Sequence, residues 1–435
     1  MTARLPRVAF HTLGCKLNYA ETSTIARSLP EGRYEKVSFN EEADIYVINT
    51  CSVTTSADRK CRQVVKKITG RHPEAFIAVV GCYAQLQPGA IASIPGVDLI
   101  LGTNEKFDLA TYLQDAEKRK QPRIENCDIG SCDRITPSWS AGERTRSFLK
   151  VQDGCDYSCS YCTIPLARGR SRNIPVEECV KEAQSIATAG IKEVVLTGIN
   201  TGDFGKSTGE SFPDLLRALE EVEGIERYRI SSIEPNLITT DIIALVAGSR
   251  KLMPHFHIPL QSGCNSTLAR MKRRYNRELF ASKAEEIITM IPTAGIGADV
   301  ITGFPGESDE EFAETFSFLE AMPLSYLHVF RFSERPGTAA AEMPGKVSEK
   351  RRYERSKKLT ELSDRLSHEF CGRMTGINAT VLFEGSAGKG HYSGFTENYI
   401  RVTVSSAEIL TGTIREVQLT EVTGAGTMHA VLTNE

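Results

Sequence analysis

The chain has 435 residues, of which 40% are hydrophobic and 25% charged, with a formal net charge of -3 and twelve cysteines. That length suggests two or three domains with sizeable cores. The charge balance excludes a wholly basic nucleic-acid binder, although local basic patches stay open. The opening MTARLPRVAF lacks the apolar core of a secretion signal, and no apolar run approaches a membrane span. A cytoplasmic protein is therefore expected, in which cysteines serve metal or redox chemistry and not disulfides.

Residues 7 to about 120 read as strands and helices in alternation. RVAFHTL, DIYVINT, FIAVVG and VDLILG are short apolar strands; the stretch up to Ser28 and that from Ser56 to Thr69 have helical spacing. Alternation at this pitch implies a parallel α/β sheet. Cys15, Cys51 and Cys82 each stand just past the carboxyl end of one strand. In a parallel sheet those ends share one edge, where ligands bind. Three cysteines on one edge point to a three-thiolate iron–sulfur site with one iron left open; buried packing thiols are the plainer alternative. Residues 121–144 are polar, carry Pro122, Pro137 and Gly142, and read as a linker. Within it Cys127 and Cys132 lack the further ligands that a zinc site needs.

The next stretch, 151–173, holds Cys155, Cys159 and Cys162 in a C-x3-C-x2-C spacing, with Tyr161 beside the last. Three thiolates this close grip three corners of a 4Fe–4S cube and leave its fourth iron free. That iron can chelate the amino and carboxylate groups of S-adenosylmethionine (SAM), with Tyr161 against the adenine. A zinc site would need a fourth ligand, and no histidine lies between His72 and His255.

SFLKVQ, EVVLTGI, RYRISSI, FHIPL, ADVITG and LHVFRF follow as strands with helices between them, among them 176–189, 211–222, 276–291 and 309–321. About six βα units imply a partial or full barrel with its chemistry at the carboxyl ends of the strands. Gly198, Asn200, Ser232 and Gln261 lie at or near those ends and are candidates for SAM contacts; Asp299 joins them because GADVITGFPGE (Gly297 to Glu307) resembles the radical SAM stretch that lies along the adenine. Arg273 and Arg274, in MKRRYNR, and Arg168 and Arg170, after the cysteine loop, are candidates for RNA phosphates. Residues 347 to about 374 read as a long polar helix. The tail from 375 alternates β-branched residues with glycine turns and reads as a small antiparallel barrel, with Lys389, Tyr399 and Arg401 as RNA contacts.

This order of parts resembles the methylthiotransferase family of radical SAM enzymes across nearly the whole chain. TLGCKLN, INTCSVT and VVGCYAQ are similar to the three cysteine segments of that family's first domain. DGCDYSCSYCTIPLARGRSR, HIPLQSG, MKRRYN, DVITGFPGE and FSERPGT resemble its radical SAM segments, and GFTENYIRV its TRAM barrel. LGCKLN, DRKCRQ and GCYAQ look most like the MtaB-like branch, which methylthiolates threonylcarbamoyl-adenosine beside the anticodon; the isopentenyl-adenosine branch tends to carry Gln where this chain has Lys16.

The resemblance implies an α/β multidomain enzyme. Residues 1–120 would form an α/β domain with an auxiliary cluster on Cys15, Cys51 and Cys82. A radical SAM (βα)6-type partial barrel would span 145–372, and a TRAM β-barrel 373–435. It further implies two 4Fe–4S clusters, SAM as methyl donor and radical source, and insertion of a methylthio group at carbon 2 of the modified adenosine 37. Expected partners are the tRNA anticodon stem-loop and a reductase, flavodoxin or ferredoxin, with a monomer acting away from membranes. The alternatives are the same chemistry on isopentenyl-adenosine or a ribosomal protein, and a non-catalytic metal-containing tRNA-binding protein.

Overall fold

The computed structural model describes residues 4–52, 55–142, 145–388 and 390–433. The first unit is a six-stranded parallel sheet. Its strands are β1 (Arg7–Thr12), β2 (Glu35–Val37), β3 (Ile45–Thr50), β4 (Phe76–Gly81), β5 (Leu99–Leu101) and β6 (Arg123–Glu125), in the order β2-β1-β3-β4-β5-β6. The central strands IYVINT and FIAVVG are buried at every position, as strands covered on both faces must be. The helices Lys16–Arg27 and Thr55–Arg71 match the expected spans closely.

Two elements differ from expectation. The stretch 121–144 is not a bare linker. It supplies β6, which pairs in parallel with β5, and β7 (Ser138–Trp139), which pairs antiparallel with β8 (Arg146–Lys150). Strands of two or three residues at a sheet edge are too short to show a periodicity, so the sequence gives no sign of them.

The second unit carries the expected strands: β8, β11 (Glu193–Thr197), β12 (Arg227–Ile230), β13 (His255–Gln261), β14 (Gly295–Thr302) and β15 (Tyr326–Arg331). Two further strands, β9 (Gln152–Asp153) and β10 (Arg172–Asn173), pair at the base of the cysteine loop. β8, β11 and β12 run parallel, as do β13, β14 and β15. The parallel bridges Tyr228–Leu252 and Ser232–His257 join the two sets into one arc. This is a partial barrel, and the helix Lys16–Arg27 of the first unit packs along its β7–β8 side. A Ser308–Glu311 capping box starts the helix Asp309–Ala321.

The helix Glu349–Arg373 crosses β15 and leads into the tail, where it touches the last two strands. There β16 (Asn378–Gly388), β17 (His391–Thr396), β18 (Arg401–Ser405), β19 (Ile414–Gly424) and β20 (Thr427–Leu432) close in the order β16-β17-β18-β20-β19. The barrel is antiparallel except where β18 meets β20. Five strands in a closed ring cannot alternate direction at every neighbour, so one parallel pair is obligatory. Among the described residues no helix is long and apolar enough to cross a membrane.

Candidate functional site

The first cysteine set is assembled by strand ends. Gly14, at φ +113, packs against Cys51 so closely that a Cβ there would overlap it. Asn18 ties the two strand ends together: its amide nitrogen donates to the Leu13 carbonyl at 2.8 Å and to that of Thr50 at 3.0 Å. Cys82 begins the helix after β4 and lies close enough to Cys15 for Cys15 to feel its charge. Topology has thus brought Cys15, Cys51 and Cys82 to one sheet edge.

The second set lies on the loop after β9. Gly154 takes φ +72, and a Cβ there would overlap the Arg170 carbonyl. The Cys155 amide donates to the Gly169 carbonyl at 3.0 Å and closes the loop. Each of the three sulfurs receives an N–H: Cys155 from the Tyr157 backbone at 3.4 Å, Cys162 from the Ile164 backbone at 3.4 Å, and Cys159 from the Arg273 guanidinium at 2.9 Å. Donors aimed at sulfur stabilise thiolates and tune clusters. Burial pushes the thiols up, Cys155 to about 11 and Cys162 to about 12, so iron must displace protons as it binds. Tetrahedral zinc at about 2.3 Å from sulfur would bring its ligands within about 4 Å of one another. Among the described residues neither cysteine set has all its sulfurs within 4.8 Å, so both fit a cube better than a single ion. Gly154→Ala is expected to displace this loop, because a clash adds to the ~1–2 kcal/mol left-handed penalty; the check is iron per chain, which should fall by about half.

The two sets are joined by a charged network with no access to solvent. Arg168, expected to face RNA, is fully buried. Its Nε donates to Cys82 Sγ at 3.2 Å, and its other nitrogens bond Asn18 at 2.8 Å, Glu21 at 3.0 and 3.1 Å, and Asp153 at 2.9 and 3.1 Å. Lys106 meets Glu21 at 2.6 Å and Lys150 meets it at 3.3 Å. Burial opposes ionisation of Glu21, but Arg168, Lys106 and Lys150 outweigh it and hold its carboxyl well below the usual range. Asp153 is likewise lowered by Arg168 and Lys150 against its burial.

A cavity of about 680 Å³ opens between the units, lined by Cys15, by Cys155, Cys159 and Cys162, and by the strand ends of the barrel. Tyr161, Gly198, Asn200, Ser232, Gln261 and Asp299, the six residues expected to contact SAM, all line it. Asn200 Nδ2 and Ser231 Oγ are buried there without a partner, which is what a polar ligand would satisfy. Gln261 sits at φ +70 at a register shift between β13 and β14. Asp299 accepts from His257 at 2.9 Å and from His328 at 3.3 Å; against burial, these bonds hold its carboxyl well below the usual range. Arg273 is also not a surface residue. It pairs with Glu234 inside the cavity and reaches the Tyr161 hydroxyl at 3.4 Å. Tyr399 comes from the tail barrel, at φ +74, and stacks on His255 at 4.5 Å and on Phe395 at 4.7 Å; it lines the cavity and is not on an outer face.

Arg170, Arg274 and Arg401 are exposed, with Arg274 over the Tyr157 ring at 4.1 Å. Lys389 lies outside the described residues. The sequence reading missed Asn18, Glu21, Lys106, Lys150 and Asp153, whose roles depend on contacts between units, and the histidines 255, 257 and 328, which carry no spacing signal.

Three loop cysteines lining a cavity at the mouth of a (βα)6 arc, with Cys15 of the other set on the same cavity, define the architecture of a radical SAM enzyme. Residues 149–319 match the radical SAM superfamily, and residues 7–102 match the uncharacterized protein family UPF0004. The chain is 40% identical over 422 residues, 95% of its length and 93% of the relative's, to threonylcarbamoyladenosine tRNA methylthiotransferase MtaB of Bacillus subtilis (strain 168). It is 34% identical over 385 residues, 87% of its own length and 84% of the relative's, to tRNA-2-methylthio-N(6)-dimethylallyladenosine synthase of Syntrophus aciditrophicus (strain SB). Among solved structures, the radical SAM methyltransferase TsrM of Kitasatospora setae shares the fold at TM-score 0.55 and 13% identity, over 90% of this chain and 81% of that one. The chain belongs to the methylthiotransferase family of radical SAM enzymes, on its MtaB-like branch.

Proposed function

We propose that this enzyme inserts a methylthio group at carbon 2 of threonylcarbamoyl-adenosine 37 in tRNA. The observation that supports the reading is that Cys15 of the first set and all three cysteines of the second line one cavity, as a reaction that joins a substrate carbon to a sulfur held elsewhere requires. When bound, the two 4Fe–4S clusters and SAM supply the radical, the sulfur and the methyl group that no side chain can provide.

The chain's own residues hold and orient. Cys155, Cys159 and Cys162 hold one cluster; Cys15, Cys51 and Cys82 hold the other. Asn200, Ser232, Gln261 and Tyr161 position SAM, and Gly198 lets backbone approach it. Tyr399, His255 and Tyr326 line the space that would receive an adenine turned out of its loop, which costs less there than in a helix. Outside the cavity, Arg170, Arg274 and Arg401 would meet the phosphates of the anticodon stem, and Lys389 is assigned to the same contact from the sequence alone. Electrons come from a reductase, flavodoxin or ferredoxin, and the enzyme works as a cytoplasmic monomer where its tRNA is found.

The test is nucleoside mass spectrometry of tRNA from cells lacking other methylthiotransferases, with and without this chain. The expected result is a methylthio gain on threonylcarbamoyl-adenosine. A gain only on isopentenyl-adenosine would move the enzyme to the other branch, and no gain on tRNA would overturn the reading.

A further inference from the structure

The floor of the cavity carries more positive charge than its own residues neutralise. Arg146, Arg229 and His255 line it from β8, β12 and β13. Glu193 serves three guanidiniums at once, meeting Arg229 at 2.9 Å and Arg146 and Arg227 at 3.7 Å. Arg146 also reaches Glu384 at 2.7 Å, and Glu397 lies near Arg227. Arg229 spends its remaining donors on the Thr396 and Glu397 carbonyls, each at 2.7 Å. Those groups satisfy one another. Lys16 is different. It lines the same cavity, presents accessible surface, and has no hydrogen-bond or ion-pair partner among the described residues. Its charge is felt by His255, and it feels Arg146 and Arg229. The one acid near it on the barrel side, Asp299, is engaged by two imidazoles. A cation pointing into a cavity, backed by further cations and left without a counter-ion, is an acceptor for an anion.

The substrate named under the proposed function supplies one. Threonylcarbamoyl ends in a carboxylate, whereas dimethylallyl is wholly hydrocarbon. We propose that Lys16 binds the carboxylate of the N6 substituent, and so selects an adenosine bearing an acidic side chain over one bearing a hydrocarbon. Arg146 and Arg229 raise the potential behind it without giving up their own partners. Position supports this: Lys16 directly follows Cys15, so a carboxylate held there fixes the base beside the sulfur set that must reach its carbon 2. A site built around a charged partner discriminates strongly against the analogue lacking it.

This inference rests on the proposed function and is tested so that the two can fail separately. Two anticodon stem-loop RNAs are compared, one carrying threonylcarbamoyl-adenosine and one in which its carboxylate is a primary amide. The enzyme, with its clusters loaded, is used as wild type, Lys16→Gln and Lys16→Arg, and KM, kcat and iron per chain are measured. The wild type should prefer the carboxylate RNA. Lys16→Gln should lose that preference, with kcat/KM falling about 10- to 100-fold on the carboxylate RNA, the span of one charge-assisted hydrogen bond, and little on the amide. Iron should be unchanged, and Lys16→Arg should restore part of the preference. Lys16→Gln with the wild-type preference would overturn the assignment. Loss of iron, or an equal loss on both RNAs, would overturn it too, because Lys16 would then serve the cluster. No product from the wild type on either RNA would overturn the proposed function, and this assignment with it.

Discussion

Replacing Cys15, Cys51 and Cys82 together by alanine is expected to remove about half of the bound iron and all methylthio product while SAM cleavage persists; replacing Cys159 alone is expected to abolish cleavage. The asymmetry follows from how the two sets are built. The loop of Cys155, Cys159 and Cys162 supplies its own closure through Gly169 and draws its N–H donors from Tyr157, Ile164 and Arg273, all within the barrel unit. None of those contacts uses a residue of the first sheet. The loop is therefore expected to keep its cluster and its SAM when the cysteines of the other set are lost. Cys159 has no substitute, since its sulfur takes the charged donor Arg273 and a cube with two protein thiolates lacks a corner. Iron analysis and formation of 5′-deoxyadenosine give the two readouts. Full iron in the triple variant would remove the auxiliary cluster from the picture, and surviving cleavage in Cys159→Ala would remove the SAM site.

The parts of this architecture legible in the sequence are those governed by local pattern. IYVINT and FIAVVG are unbroken apolar runs and form buried central strands. Cysteines at the ends of such strands had to converge, because parallel strands send their carboxyl ends to one edge. Arg168 and Arg273 were misread for a common reason. An arginine in a basic stretch such as RGRSR or KRRYNR looks like a phosphate contact, and only the tertiary structure shows Glu21, Asp153 and Glu234 waiting for it. Tyr399 lies in a segment that resembles an RNA-binding barrel, yet the barrel docks so that this ring closes the enzyme's cavity. β6 and β7 are set by pairing with neighbours and not by their own composition.

Arg168→Met is expected to cost about 3–5 kcal/mol, the penalty for removing one partner from a buried ionic network, and to empty the auxiliary set. Domains are typically stable by only about 5–15 kcal/mol, so the loss is large. The charges explain why the cluster should go first. Lys106 and Lys150 already balance Glu21 and Asp153; the guanidinium is the extra positive charge, and Cys82 is the group it faces at 3.2 Å. With iron bound, the Cys82 sulfur is anionic, and without Arg168 that charge would be buried unpaired. The carboxyls of Glu21 and Asp153 titrate below their unfolded values. Their stabilisation is therefore complete above about pH 4 to 5, and is lost only as pH falls through the lowered folded values. The full deficit thus shows at neutral pH. Arg168→Lys keeps the charge but not the planar fork that reaches Cys82, Asn18 and two carboxylates together. It should fold close to normally while iron in the auxiliary set falls and methylthiolation drops, with SAM cleavage retained. Arg168→Met at wild-type thermal stability, or Arg168→Lys with full iron and full methylthiolation, would show that the bridge between the two cysteine sets is dispensable.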